Sequence, residues 1–231
     1  MDNEKNKIYF SKKFKDYLNY ENFGISANNF GDFGPLNTLK NKINRKEFMI
    51  INGQSGDFLT GGHLPCNILS KKFSLGKNKS LLFNHILNKH YNLWSDKYYE
   101  NKKVYLDRVQ NYYFKKCKSY NHLLSSYEIY EFENRQCKWV IGQQKVYDYF
   151  GYSWELPLWK KDIMDFFEDH ISLNEKINQK FYKNFLINKN YVSIWKGIKL
   201  NPKMTFPLWL NVTRLFFKVF FLFIGKNKWH K

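Results

Sequence analysis

The chain has 231 residues, of which 43% are hydrophobic and 20% aromatic, which is enough to bury one substantial core and excludes a disordered polypeptide. Lys and Arg total 38 against 20 acidic residues, and the formal net charge of +18 favours anionic partners such as nucleotide phosphates, nucleic acid or an anionic lipid surface. A+T-rich codons would also enrich Lys, Asn, Phe and Tyr together, so the charge alone assigns no partner.

The three cysteines, Cys66, Cys117 and Cys137, lie far apart, form no CxxC pair and have no histidine cluster beside them. This spacing argues against a zinc site and against a disulfide framework. The first ten residues, MDNEKNKIYF, carry charges and no apolar core. We therefore expect no signal peptide and a reducing, cytoplasmic location.

The first fifty residues predict a short helix near residues 11–20 and a second helix that starts at Pro35, because proline suits the first helical turn. Residues 47–52 then form a short, mostly apolar run that is closed by a glycine. Such a run predicts a strand that is covered on both faces in a parallel sheet.

Helices dominate from about residue 80 to residue 150, where apolar residues recur every three or four positions and Ser80 is a candidate helix cap. The segment 151–159, GYSWELPLW, breaks this pattern, and residues 161–170 resume it. A further helix is predicted over residues 173–186. The chain is therefore predicted to be an α/β domain with a predominantly helical C-terminal half.

The most apolar stretch, residues 206–224, is nearly long enough to span a bilayer. Three polar residues interrupt it at spacings of three and four, which places them on one face of an amphipathic helix: Asn211, Arg214 and Lys218. Either this helix packs on the domain with its polar stripe in water, or it attaches to an anionic membrane surface. We divide the chain into a domain of residues 1–204 and a basic C-terminal helix or tail of residues 205–231.

Residues 52–63, NGQSGDFLTGGH, place four glycines and one aspartate directly behind the predicted strand. A strand followed by a glycine-rich turn is a recurring phosphate site, because exposed backbone N–H groups form an anion-binding concavity. An aspartate beside phosphate is tolerated when Mg²⁺ lies between them. A tight turn that needs glycine for positive φ is the alternative interpretation of the same pattern.

Residues 48–62, FMIINGQSGDFLTGG, resemble the segment of asparagine synthetases in which a buried strand runs into a turn of the form S-G-x-G-x-D-E-x-x-G-G. The two sequences agree at Gly53, Asp57, Gly61 and Gly62. Two later segments, ENRQCKWV from residue 133 and YFGYSWELPLWKKDIMDFF from residue 149, resemble the segments that follow in the same order in that family. The likeness covers about residues 30–200 and is greatest to asparagine synthase-related proteins associated with surface polysaccharide synthesis.

The resemblance implies an incomplete ATP pyrophosphatase-like (adenine nucleotide alpha hydrolase-like) parallel sheet. Such enzymes bind Mg·ATP, adenylate a carboxylate substrate and let an amine attack the acyl-adenylate. On this resemblance the ATP-binding residues are Gly53, Gln54, Ser55, Gly56 and Asp57, and Asp57 is also the Mg²⁺ ligand. The implied catalytic residues begin with Asp57, which places Mg²⁺ or the attacking amine, and with Arg135 and Lys138, which stand at the basic positions of the helical segment. A further cation, Lys196 or Lys199, offsets charge on the leaving group.

Departures from the family pattern predict a truncated or degenerate enzyme that is inactive alone. The pyrophosphate loop SGGxDS occurs nowhere in the 231 residues, and Asp2 stands where the glutaminase domain would begin with its cysteine nucleophile. Within the turn, Ser55 stands where the family has glycine. Downstream, Glu155 and Lys160 reverse the family's charges. We therefore expect another chain to supply the N-terminal half of the site.

A different class of function is a basic, non-catalytic adaptor that docks on an anionic membrane or on nucleic acid. The amphipathic segment near the C-terminus and the excess of lysine favour the membrane. The aromatic residues are spread along the chain and are not paired with basic clusters on a strand, which argues against nucleic acid as the partner.

Overall fold

A computed structural model of the chain describes residues 7–20, 29–45, 47–91 and 99–194, together with residues 209, 212, 213, 215, 216 and 220. Its helices and strands are, in chain order, α1 Lys12–Tyr20, α2 Phe30–Leu39, β1 Met49–Ile51, α3 Gly56–Leu59, α4 Leu75–His90, α5 Tyr99–Val109, α6 Tyr120–Glu131, α7 Lys145–Phe150, β2 Ser153–Glu155, α8 Lys161–Asp169, α9 Leu173–Lys176 and α10 Lys180–Lys189. The π-helical segments Gln110–Phe114 and Phe132–Val140 continue α5 and α6.

The two strands form a parallel sheet in which Met49 lies opposite Ser153 and Ile51 opposite Glu155. The ladder extends one residue further, because the backbone N–H of Asn52 donates to the carbonyl of Glu155 at 3.0 Å. Parallel strands need a long crossover connection, and the chain between β1 and β2 is largely helical. The described part of the chain is therefore mostly helical with a small parallel sheet, as an α/β reading of the sequence predicts.

The prediction that β1 is covered on both faces is wrong. The side chains of Met49 and Ile51 are 51% and 61% exposed, whereas Ile50 is half-buried against the aromatic core. Successive side chains of a strand point to opposite faces. Only one face of the described two-stranded sheet is packed, so an all-apolar run leaves alternate residues in contact with solvent.

The chain divides into two compact units, residues 1–64 with 125–177 (unit 1) and residues 65–124 with 178–231 (unit 2). The core of unit 1 is rich in aromatic residues, and its centre is Phe33, whose ring lies 4.8 Å from that of Tyr17 and 4.9 Å from that of Phe14. Phe150 joins them from α7. This core supports the packed face of the sheet.

Helix α1 lies where the sequence predicts it, but α2 does not start at Pro35. The helix begins at Phe30 because the side chain of Asn29 accepts a hydrogen bond from the backbone N–H of Asp32 at 3.1 Å and so caps the helix. Pro35 lies inside the helix on its exposed side. The cap therefore outweighs the preference of proline for the first turn.

The predicted break after residue 150 and the helix that follows it are confirmed. Gly151 ends α7 in the left-handed conformation (φ +73°), and β2 and a 3₁₀ turn over Pro157–Trp159 follow. Helix α8 then covers Lys161–Asp169.

The helix predicted over residues 173–186 is divided in two. Asn178 and Gln179 have positive φ (56° and 58°), and this interruption separates α9 from α10. Asparagine tolerates the left-handed region better than most residues, so it is a natural place for the helix to break.

In unit 2, helix α4 begins at Leu75, five residues before the predicted cap. The side chain of Ser74 accepts from the backbone N–H of Lys77 at 3.3 Å, so Ser74 is the cap and Ser80 lies within the helix. Buried Asn78 donates to the carbonyl of Ser70 at 2.8 Å and accepts from its N–H at 3.1 Å, which fixes the preceding loop on the helix.

None of the helices in the described ranges is long and apolar enough to cross a membrane. The predicted boundary between residues 204 and 205 lies outside the described residues, and so do Asn211, Arg214 and Lys218. The division into a domain and a tail therefore remains a prediction.

Candidate functional site

The turn after β1 has a left-handed backbone at two of its residues. Ser55 has φ +70° and immediately precedes α3, and Gly61 has φ +82°. A Cβ atom built on Gly61 would lie 2.4 Å from the backbone oxygen of Lys176, whereas a Cβ on Gly53 would meet nothing within 4 Å. Backbone geometry therefore requires glycine at position 61, while Gly53 has open space around it.

Side-chain hydrogen bonds fasten this turn to α2 and α7. Asn52 accepts from the backbone N–H of Gln54 at 3.0 Å and donates to the hydroxyl of Tyr147 at 2.8 Å. Gln144 donates to the side-chain oxygen of Gln54 at 2.6 Å. Tyr147 in turn donates to Asp32 at 2.8 Å; burial and this hydrogen bond raise the pKa of Tyr147, so its hydroxyl remains a donor at neutral pH. The network holds the turn in one position.

Ser55 connects the turn to two other parts of unit 1. Its hydroxyl donates to Oε1 of Gln136 at 2.8 Å and accepts from Nε1 of Trp159 at 3.0 Å. Gln136 lies in the π-helical segment, and Trp159 ends the 3₁₀ turn after β2. Three segments that are far apart in the chain therefore meet at one buried hydroxyl.

One buried hydrogen-bond donor near Ser55 has no acceptor among the described residues: Nε2 of Gln136, a side chain that is completely buried. Ser55, Gly56 and Asp57 lie at the start of α3, where backbone N–H groups have no acceptor within the helix. A buried donor without an acceptor costs about 1–3 kcal/mol. An acceptor supplied by water or a ligand would remove this cost.

Asp57, the predicted Mg²⁺ ligand, is exposed at the start of α3, and its Oδ1 accepts from the backbone N–H of Phe58 at 2.9 Å. Across the described ranges, no group of three or more His, Cys, Asp or Glu side chains is placed to hold a metal ion. A metal ion at Asp57 would therefore need ligands from a phosphate, from water or from residues outside these ranges.

The predicted catalytic cations differ in how the structure places them. The guanidinium of Arg135 lies 5.1 Å from the ring centre of Trp139, and its charge partly opposes the rise in the pKa of Tyr127 that burial and Glu131 cause. Lys138 is exposed and donates to Asn134 at 3.0 Å. Both residues flank Gln136, but these contacts lie within their own helical region and do not include the turn.

Lys196 and Lys199 lie outside the described residues. The roles of all the predicted site residues therefore remain predictions, although the structure gives Gln54 and Ser55 a part in positioning the turn.

Sequence analysis missed the side chains that hold the turn, in particular Gln136, Gln144 and Tyr147. Their spacing offered a signal, because Gln136, Val140 and Gln144 recur every four residues and all three are buried. Uncharged amides on the buried stripe of a helix indicate internal hydrogen bonds. Which partners they bind could not be predicted, because Gln144 and Gln54 are 90 residues apart in the chain.

Comparison of the chain with models of protein families, with curated proteins and with solved structures found no match.

Proposed function

We propose that residues 52–57 form one wall of an ATP site in an asparagine synthase-like domain, which adenylates a carboxylate and transfers the acyl group to an amine. The observation that carries the proposal is the convergence of the three resembling segments on Ser55. In α/β sheets, ligands bind outside the carboxyl ends of parallel strands. The turn follows β1 and Trp159 follows β2 at that edge.

The backbone of Ser55 also supports the resemblance. The family has glycine at this position, and Ser55 adopts the left-handed conformation that glycine favours. Ser55 therefore has a backbone conformation that suits glycine. The two hydrogen bonds of its hydroxyl stabilise this conformation.

The donors near the turn suit a phosphate group. The N–H groups of Ser55, Gly56 and Asp57 would donate to phosphate oxygens, and Nε2 of Gln136 is a further donor close by. Mg²⁺ commonly uses one or two carboxylates together with phosphate oxygens and water, so Asp57 alone suffices on the protein side. Lys196 or Lys199 would balance charge on the departing pyrophosphate, and Arg135 and Lys138 would be the basic residues of the helical segment.

The second wall of the proposed site would be supplied by residues outside this sequence. The loop SGGxDS, which holds the ATP phosphates in the family, is missing from the sequence. We propose that this N-terminal half is supplied from outside the 231 residues, for example by a partner chain. We also propose a cytoplasmic location and, on the resemblance, a link to surface polysaccharide synthesis.

The test measures Mg·ATP binding by calorimetry together with pyrophosphate release. We expect weak binding by the chain alone, and stronger binding with turnover when it is co-purified with the product of an adjacent reading frame that encodes SGGxDS. Asp57→Asn should weaken Mg·ATP binding to that complex, whereas Asp162→Asn, an exposed aspartate on α8, should not. Robust turnover by the chain alone would contradict the proposal that it forms only one wall of the ATP site.

A second candidate function, an adaptor at an anionic membrane, is favoured by residues near the C-terminus. Trp209, Val212, Phe216 and Phe220 recur at spacings of three and four residues, and all are exposed, from 45% for Phe220 to 69% for Val212. This spacing places them on one helical face. The sequence spacing of Asn211, Arg214 and Lys218 predicts that these three residues lie on the opposite face. An exposed apolar face beside basic residues is typical of helices that lie on anionic lipid.

Vesicle co-sedimentation tests the second candidate function, attachment to an anionic membrane. We expect the full chain to sediment with phosphatidylserine vesicles and not with phosphatidylcholine vesicles. The exposed substitution Val212→Asp should reduce sedimentation without loss of folding. Equal sedimentation of the substituted and unsubstituted chains would remove the membrane function.

A further inference from the structure

Unit 1 contains a cavity of about 290 Å³ beside α3, the short helix that follows the glycine-rich turn. Its apolar wall comes from three parts of the unit: Phe58 on α3, Phe132 directly after α6, and Met164 and Phe167 on α8. The rings of Phe58 and Phe132 are stacked with centres 5.9 Å apart, and Phe132 stacks in turn on Trp159 at 5.5 Å. The aromatic part of the wall is therefore held in place by further packing.

A buried ion pair lies at this cavity. Nζ of Lys176 is 3.2 Å from Oε1 of Glu128, and the two side chains are only 9% and 16% exposed. Burial raises the pKa of Glu128, and the neighbouring ammonium partly opposes this rise. Gly61 lets the backbone of Lys176 approach the turn, and the capping box of Ser172 and Glu175 starts α9, so the position of Lys176 is well defined.

The charges that line the cavity are unequal. Three carboxylates, from Glu128, Asp165 and Glu168, contribute to its surface, against the single ammonium of Lys176. That ammonium already faces Glu128 and lies 3.9 Å from Oε2 of Glu168, whose side chain is 82% exposed. Asp165 also pairs with Lys161 outside the lining. An anionic ligand would therefore meet an excess of negative charge, although the chain as a whole carries +18.

We propose that this cavity binds a small organic cation, a protonated amine that carries an apolar body. The apolar body would lie against Phe58, Phe132 and Met164, and the ammonium would lie near Glu168. The excess of carboxylates along the cavity favours a positively charged ligand. Apolar walls with a few charged groups are the usual construction of small-ligand sites, and the cavity has room for a small ligand only. This inference does not depend on ATP binding at the turn.

Three probes with the same ring and nearly the same length test the inference: 2-phenylethylamine, 2-phenylethanol and 3-phenylpropanoate. They are titrated into the full chain labelled with ¹³C at its four methionine methyl groups. The Met164 signal, assigned with Met164→Leu, reports on the cavity, and Met49 on β1 is the internal reference. We expect the amine to shift the Met164 signal and to bind about fivefold more tightly than the alcohol, with the anion weakest.

A matched pair of variants on α8 tests the charge. Glu168→Gln should weaken amine binding about threefold and leave alcohol binding unchanged. Asp162→Asn removes the same charge from the same helix, but Asp162 does not line the cavity, so both affinities should stay as they are. Both positions are exposed, so the fold should tolerate the changes.

Three results would overturn the inference. The first is 3-phenylpropanoate binding as tightly as the amine, and the second is a shift at Met49 without one at Met164. The third is the absence of saturation by the amine up to about 10 mM.

Discussion

At Ser55, one residue combines an unusual backbone with two buried hydrogen bonds. A left-handed conformation costs a non-glycine residue roughly 1–2 kcal/mol. The hydroxyl offsets this cost because it donates to Gln136 and accepts from Trp159, each worth about 0.5–1.5 kcal/mol. Ser55 thus joins three segments of unit 1 that are far apart in the chain.

Lys13 lies in a cluster of positive charge. Its Nζ donates to Asn37 at 2.8 Å and lies 4.5 Å from the ring centre of Phe150. Burial, followed by the charges of Lys40 and Arg45, lowers the pKa of Lys13 to about 8 from 10.5. The unfolded chain therefore binds more protons than the folded chain between these two pH values, and this group makes stability rise with pH across that window.

We predict that Lys13→Met removes this pH dependence. Relative to the unsubstituted chain, the variant should have its highest free energy of unfolding near pH 7. This advantage should fall as pH rises from 8 towards 9.5, because the unsubstituted chain gains stability there. Urea unfolding at several pH values measures it. Lys12→Met, an exposed change on the same helix, is the control and should show no such trend. A difference that stays constant or grows with pH for Lys13→Met would contradict the prediction.

Among the structural elements, short α3 and α9 meet at Gly61. The left-handed φ and the approach of the Lys176 backbone both act on this glycine. Backbone geometry therefore requires glycine at position 61 but not at position 53, because Gly53 has neither a positive φ nor a close neighbour.

We predict that Gly61→Ala lowers the free energy of unfolding by about 2 kcal/mol or more, since the strained φ and the clash with a backbone oxygen add. Gly53→Ala should change it by no more than about 0.5 kcal/mol. Urea unfolding of both variants measures the contrast. Equal effects would show that the close approach at Gly61 does not determine stability.

Local patterns in the sequence predicted the elements that local forces determine. Helix α1, the break at Gly151 and helix α8 follow from apolar spacing and from glycine, which act within a few residues. Helix starts were misplaced where several caps compete, as at Ser74 and Ser80.

Long-range contacts account for what the sequence could not predict. The exposed face of β1 depends on what packs against the sheet. The hydrogen bond between Ser55 and Gln136 spans 81 residues, and the ion pair of Lys176 with Glu128 spans 48. The position of the glycine-rich turn was therefore predictable, whereas the side chains that hold it and the cavity beside it were not.

At the scale of the whole molecule, the net charge of +18 acts on stability whatever the chain binds. Like charges in a compact chain repel, and this repulsion destabilises the folded state. Salt screens it, because the screening length shrinks as ionic strength rises. The charge of the chain falls towards zero near its isoelectric point of about 9.6.

We predict that the thermal midpoint at pH 7 rises as NaCl increases from about 20 to about 300 mM, by roughly 2–4 °C for each kcal/mol of repulsion that is screened. At pH 9.5 the same change in salt should have little effect, because little net repulsion remains there. Calorimetric scans in the two buffers measure both quantities. A midpoint that falls with salt at pH 7 would mean that local attractions outweigh the overall repulsion, and that the excess lysines are already balanced in the folded chain.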